Sequence, residues 1–370
     1  MKRTDHSILA VLTCPPPWHG ANIMNSLALK ALQETGWRTN AITPRYGAEL
    51  SDIGGRFSCA KVLELLKTFA KTCKVLFKCR PDLFYTSLNA QRVPMLRDIL
   101  LSVPALLFRV PVVCHAHFSR FDEFAKNTDI FTRWLAKLYT RNIRSIIVLA
   151  NTLRPQFSSF VAPEKVKVVQ NGLPDSAVPS VEKKFDDQPT VLFLSNLIES
   201  KGYLDLLEAV PPVLKRFPSA SFTFIGAPDK TEISHLEKLC SKRGLAKNVK
   251  FLGLCLAEQK NDALRNSWLL AFPTYYINEA FPLVLIESLM WGLPVVTTRV
   301  GAIEEIIESN QNGVFVSPQN PDELANEIIN LLSNPLILQR LSQNNRTKYE
   351  ALFTYEIFRA NLSKALLDCL

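Results

Sequence analysis

The chain has 370 residues, 47% apolar and 21% charged, which is the composition of a globular protein with room for two or three domains, each with its own core. Its five histidines are too few and scattered for a metal cluster, and its eight cysteines (Cys14, Cys59, Cys73, Cys79, Cys114, Cys240, Cys255 and Cys369) lack zinc-type spacing and read as reduced, buried thiols of a cytosolic protein. The net charge of +9 is uneven: residues 1–180 hold 24 Lys and Arg against 12 Asp and Glu, the remainder 19 against 22, so the first half is the one suited to an acidic partner.

Short β-branched runs alternate with longer amphipathic segments, the pattern of βαβ units on a parallel sheet. The N-terminal MKRTDHSILAVLTC is interrupted by Asp5 and His6 and reads as the first strand rather than a leader. The loop CPPPWHGAN follows, then a helix, NIMNSLALKALQETG, closed by Gly36, and the strand RTNAIT. Three consecutive prolines, Pro15 to Pro17, strip N–H donors from the first βα turn, and no G-x-G-x-x-G stands there, which argues against NAD. A loop at 51–59 containing Gly54 and Gly55 reads as mobile.

Residues 61–79 form the most amphipathic helix, with Val62, Leu65, Leu66, Phe69, Cys73, Leu76 and Phe77 on one face. That face is predicted to pack on the sheet. Lys67, Lys71, Lys74 and Lys78 fall opposite it, either as a solvated face or as a patch for anionic lipid headgroups; the basic half favours the headgroups. DLFYTSL is the next strand, then a helix near 93–108, then the strand PVVCHAH. A period of two puts His115 and His117 on one face at that strand's C-terminal end, where ligands collect in open α/β sheets. One of the two can equally be a structural histidine. No uncharged apolar stretch reaches the ~18 residues of a spanning helix.

SIIVLAN and EKVKVVQNGLP complete the first half. DSAVPSVEKKFDDQP is polar and aperiodic, a linker. The pattern restarts with the strand TVLFLSN, a loop with Lys201 and Gly202, and a helix; SASFTFIG, KNVKFLG and SWLLAFPT are further strands. No phosphate loop of the G-x-x-x-x-G-K-[ST] type, H-E-x-x-H, G-x-S-x-G or nucleic-acid module occurs.

The most informative stretch is NEAFPLVLIESLMWGLPVVTTRVGAIEEIIESNQNGVFV, from Asn278. Pro282 suits a first helical turn, the helix runs to about Trp291, Gly292 suits a left-handed C-terminal cap, and PVVTT is a buried strand. Glu279 therefore precedes a helix N-terminus and Glu287 lies inside the helix. The free amides between them, from about Leu283, make an anion site. Amides for phosphates with carboxylates for hydroxyls on either side are what a nucleotide-diphosphate sugar needs.

This stretch resembles the nucleotide-sugar signature of the retaining glycosyltransferases of family 4, which have the GT-B fold. Their signature is a Glu, seven residues, a second Glu, a small-residue turn and a Pro-Val-Val strand, as at Glu279, Glu287 and PVV here. The resemblance implies that Glu279 touches the donor sugar, Glu287 the ribose, and that Phe281, Leu283 and Val284 line the donor. It places Lys201 near the diphosphate, the Phe251-Leu252-Gly253 backbone beside the base, His117 beside the sugar, and His19, Gly20 and Asn22 in a loop beside donor phosphate or acceptor. Two departures stand out: Gln170 replaces a usual Pro before Asn171-Gly172, and Ser195-Asn196 replaces a usual Gly-Arg, which removes one expected phosphate cation.

The resulting expectation is an α/β protein of GT-B type, two Rossmann-like doubly wound domains facing across a cleft. Residues 1–175 bind acceptor, 176–189 link, 190–352 bind the nucleotide sugar, and 353–370 form a helix returning to the first domain. The predicted reaction moves a hexosyl unit from a UDP- or GDP-sugar to a hydroxyl of a lipid-linked glycan in surface polysaccharide assembly, with retention and without metal or other cofactor. The predicted partners are the donor, that acceptor and an anionic membrane, not nucleic acid, and the predicted place is cytoplasmic, peripheral at the inner face of the cell membrane. The alternatives are a soluble transferase to a small acceptor, a nucleotide-sugar 2-epimerase, and a catalytically degenerate nucleotide-sugar-binding protein.

Overall fold

A computed structural model describes residues 6–47, 58–177, 183, 185, 188–229, 231–255 and 257–370. Gly54, Gly55 and most of the 176–189 linker lie outside the described residues. The chain forms two compact units, the first built from Met1–Asn171 with Tyr355–Leu370 and the second from Gly172–Thr354. Leu173 stays with the second unit because its N–H donates to the Phe353 carbonyl at 3.0 Å.

In the first unit, β1 (Ser7–Val11), β2 (Arg38–Ile42), β3 (Leu83–Leu88), β4 (Val112–Ala116), β5 (Ser145–Val148) and β6 (Val166–Val168) pair in the order β2-β1-β3-β4-β5-β6, all parallel. β1 and β4 are buried along their whole length, as strands covered on both faces must be, and so read as apolar runs rather than alternations. Helix α1 (Gly20–Glu34) connects β1 to β2 in one direction along the sheet. Helices α2 (Cys59–Cys79), α3 (Arg92–Leu107), α4 (Phe121–Asn127) and α5 (Ile130–Asn142) lie on connections that run the other way. Right-handed crossovers therefore put α1 on one face and α2, α3 and α5 on the opposite face, where α2 packs on α3 and α3 on α5.

In the second unit, β7 (Thr190–Leu194), β8 (Ser221–Ile225), β9 (Val249–Gly253), β10 (Leu269–Phe272), β11 (Val295–Thr297) and β12 (Gly313–Phe315) form a parallel sheet ordered β12-β11-β10-β7-β8-β9. Counted from β7, this is the doubly wound dinucleotide-fold order, and its direction reverses between β7 and β10. The helices are α6 (Tyr203–Arg216), α7 (Ile233–Lys242), α8 (Ala257–Asn266), α9 (Leu283–Met290), α10 (Ile303–Ile306), α11 (Pro321–Leu332) and α12 (Pro335–Leu352). Phe193, Phe224 and Phe251 stack through the core beneath α6, which packs along α11. The last helix, α13 (Tyr355–Leu367), belongs to the first unit and packs on α1, where Tyr355 and Arg359 both donate to Glu34, at 3.0 and 2.9 Å.

The α/β doubly wound class is the one read from the sequence, and two details differ. Helix α2 does not bury the face that its periodicity marks: Thr68, Thr72 and Leu76 are its buried residues, whereas Val62, Leu66 and Phe77 are exposed. The sheet meets the helix roughly a quarter-turn away from the apolar stripe. The thiols also differ: only Cys114, Cys240 and Cys369 are buried, while Cys59 and Cys79 are exposed, and all eight are free. Among the described residues no helix is long and apolar enough to cross a membrane.

Candidate functional site

In the second unit the loops after β7, β10 and β11 are pressed together backbone to backbone. Gly202 (φ +82) lies so close to Pro273 that a Cβ would sit 2.2 Å from its carbonyl oxygen; Gly301 (φ +61) would put a Cβ 2.0 Å from the Glu279 carbonyl oxygen. Only glycine combines a left-handed backbone with that approach. The Tyr275 N–H donates to the Ser200 carbonyl at 2.8 Å and joins the first two loops. All three leave carboxyl ends of strands, and β7 and β10 flank the point where strand order reverses, where ligands bind in such sheets.

Lys201 follows the β7 loop and Glu279 the β10 loop, and the fold makes them partners. The Lys201 ammonium lies 2.5 Å from Glu279 Oε2 and 4.3 Å from the centre of the Tyr276 ring, in a buried setting that strengthens both contacts. Thr274 Oγ1 is 3.4 Å from the same carboxylate oxygen. Helix α9 starts four residues after Glu279. Pro282 is its N-cap and not, as expected, a residue of its first turn. The Leu285 N–H turns back to the Pro282 carbonyl at 3.2 Å, while nothing among the described residues accepts the Leu283 and Val284 N–H groups. Glu287 lies one turn further in and meets Lys260 of α8 at 2.5 Å. Two lysine–glutamate pairs thus flank the free amides of a helix N-terminus. At the other end Gly292 holds φ +59 just past the C-cap, as a left-handed cap requires.

Gly253 ends β9 with φ +65 and its carbonyl receives the Gly226 N–H at 2.8 Å. Asn196 is half-buried after β7, on the β7 loop. Phe281 turns its ring into the core against Phe353, with centroids 6.0 Å apart, so its side chain packs in the core. Lys260, Thr274, Tyr276 and Gly301 escaped the sequence reading. Lys260 sits 27 positions from Glu287 in a mostly polar helix, and no spacing rule links the two.

In the first unit, His115 and His117 stack at the end of β4 with ring centroids 4.2 Å apart. His115 is the structural one, its Nδ1 held 2.7 Å from the Tyr85 hydroxyl. His117 Nε2 has no partner among the described residues, and burial, helped by the nearby His19, pushes its pKa down to about 3. It is a neutral imidazole at neutral pH. His19 is half-buried at the N-cap of α1, its pKa also lowered by burial, and Gly20 opens the helix on the surface. Asn22, expected beside the ligand, is instead buried and spent on the loop: it donates to the Pro17 carbonyl at 3.0 Å and accepts from Thr13 Oγ1 at 2.9 Å. Lys67, Lys71, Lys74 and Lys78 are all exposed on α2.

Residues 176–348 match the family described as Glycosyl transferases group 1. An uncharacterized glycosyltransferase of Methanocaldococcus jannaschii is 32% identical over 203 residues, 51% of each chain. The gpi3 subunit of phosphatidylinositol N-acetylglucosaminyltransferase of Schizosaccharomyces pombe is 27% identical over 226 residues, 60% of this chain and 48% of the relative. The chain thus spans about half the length of these curated relatives. Among solved structures, HepE of Anabaena in complex with UDP is similar with a TM-score of 0.72 at 18% identity, covering 98% of this chain and 100% of that one. That likeness carries the GT-B fold.

Proposed function

We propose that the protein is a retaining glycosyltransferase that moves a hexosyl unit from a UDP- or GDP-sugar to a hydroxyl of a lipid-linked glycan in surface polysaccharide assembly. The observation that carries the reading is the arrangement around α9: free amides of Leu283 and Val284 between the Lys201–Glu279 and Lys260–Glu287 pairs. The diphosphate takes the helix N-terminus, where aligned peptide dipoles and unsatisfied N–H groups favour negative charge. Lys201 turns from Glu279 to the phosphate as charge develops on the leaving diphosphate, and Glu279 is then free to accept a sugar hydroxyl. Glu287 takes the ribose, positioned by Lys260. Lys260 also supplies a local cation in a site where Asn196 stands in place of an arginine.

His117 is assigned the sugar. As a neutral imidazole it orients a hydroxyl by hydrogen bonding and carries no charge to the reaction. The charge stabilisation described here comes from a helix terminus and an ammonium and needs no metal. The two glutamates are hydroxyl ligands in this reading, not the acid and nucleophile pair of a glycosidase. Support for a nucleotide-sugar donor comes from the matching family and from the UDP-bound HepE; support for a lipid acceptor comes from the phosphatidylinositol-modifying relative and the basic first half.

The test is turnover. UDP- and GDP-hexoses are incubated with the protein and a lipid-linked glycan fraction, and free nucleoside diphosphate and the anomeric configuration of the product are followed. Release of one diphosphate, an axial product from an axial donor, and loss of release in Glu279→Gln with binding retained would support the reading. Nucleotide binding without release from any donor would favour the degenerate binding protein.

A further inference from the structure

The outer surface of the α2, α3 and α5 layer is inverted relative to an ordinary sheet-covering layer. Helices on a sheet normally show polar residues to water. Here Val93, Leu100 and Leu107 repeat every seven residues along the outward side of α3, and Leu107 is 77% exposed. On α5, Ile130, Trp134 and Leu138 repeat every four, with Phe131 beside them and Ile130 84% exposed. On α2, Val62, Leu63, Leu66 and Phe77 are exposed next to the lysine stripe. Among the described residues, twelve of the twenty exposed large apolar side chains lie on these three helices or on Phe108, directly after α3.

Charge is concentrated on the same layer. The three helices hold ten Lys and Arg against two Asp and Glu, a net +8 of the chain's +9. Lys137 and Arg141 are interleaved with the α5 stripe, and Lys67, Lys71, Lys74 and Lys78 border the α2 apolar residues. Where α2 and α3 end, Arg80 and Arg109 rim a cavity of about 540 Å³ with Phe108. The one acid there, Asp82, is held by the Ser7 N–H and hydroxyl at 2.7 and 2.8 Å.

We propose that this three-helix layer is a docking face for a bilayer with anionic headgroups, with Phe131, Trp134, Leu100, Leu107 and Phe77 entering the interface. Three observations select lipid as the occupant. The apolar side chains are spread over three parallel ridges rather than gathered in a groove fitted to one partner helix. Aromatic side chains with basic neighbours are what the headgroup boundary favours, because long lysine and arginine stems reach out to phosphate while their apolar neighbours stay below. The excess of cations matches an anionic surface over the whole layer, not at one point. The proposal gives the lipid-linked acceptor reading its location and rests on that reading only for its purpose.

The test is co-sedimentation of the full chain with vesicles of phosphatidylcholine alone and of phosphatidylcholine mixed with phosphatidylglycerol, for wild type, Phe131→Ser/Trp134→Ser and Lys71→Gln/Lys74→Gln. Each variant is also tested for nucleoside diphosphate binding, which reports folding and keeps failure of the donor reading separate. Binding to the anionic vesicles, weakened by about tenfold or more in each double variant with nucleotide binding kept, is the expected result. No vesicle binding by wild type, or binding unchanged in Phe131→Ser/Trp134→Ser, would overturn the proposal. A wild-type dimer by light scattering that the same substitutions dissolve would assign the face to a second copy instead.

Discussion

Lys201 and Glu279, 78 positions apart, form a largely buried ion pair at 2.5 Å, and each is the other's charged partner. Such a pair gains little net stability but costs much to break on one side. Lys201→Met is predicted to lower stability by about 3 kcal/mol, because it leaves a buried carboxylate unpaired. Lys201→Met/Glu279→Gln should recover most of that loss. Denaturant unfolding of the two variants decides the matter, and equal stabilities would show that the pair is not coupled.

Gly301 supports Glu279 from behind. Gly301→Ala is predicted to cost about 1–3 kcal/mol and to displace the Glu279 backbone, weakening diphosphate binding. Gly244 is the matched control. It has φ +72 but open space around it, so Gly244→Ala should cost about 1 kcal/mol of backbone strain and leave binding alone. Binding affected equally by both would refute the support role.

Lys260 tests the ribose side. If it positions Glu287 for a hydroxyl, Lys260→Met weakens ground state and transition state alike, raising the donor KM with kcat nearly unchanged. A fall in kcat with KM unchanged would instead put Lys260 at the reacting centre.

The stacked histidines predict a pH response. His117 titrates near 3 when folded and has an ordinary value of 6.5, so between those values the unfolded chain binds more protons and stability falls as pH falls. At pH 5 the loss from His117 amounts to about 2 kcal/mol relative to neutral pH. His115, lowered well below 6.5 by burial, adds in the same direction. His117→Gln should flatten the stability profile between pH 7 and pH 5, read by urea midpoints; a slope identical to wild type would mean that His117 is not the titrating group.

The alternation of apolar runs and amphipathic segments was enough to read the α/β class, and Pro282 and Gly292 marked the two ends of α9 to within a residue. The parts that escaped are those where side chains do not follow the burial pattern. In α2 the sheet is met by Thr68 and Thr72, small polar residues that carry no hydrophobic signal. Between β4 and β5, where α4 and α5 stand, the pattern is misleading, because α5 turns its strongest apolar spacing, Ile130, Trp134 and Leu138, outward. Helix α6 runs through Pro211 and Pro212 to Arg216, past the point where prolines suggest a stop, because it is packed along α11. The Glu279 and Glu287 spacing was legible as local sequence, whereas their lysine partners were fixed by loops and helices brought together only in the fold.

The most direct test of the donor site is a thermal-shift panel of UDP, GDP, ADP, CDP and NAD on wild type and Glu287→Ala. A diphosphate at 100 times its dissociation constant stabilises by about 2.7 kcal/mol, a clear upward shift. One nucleoside diphosphate shifting wild type, and shifting Glu287→Ala less, is the predicted result and names the base. A response to NAD alone, or to none of the five, would contradict a nucleotide-sugar site at α9.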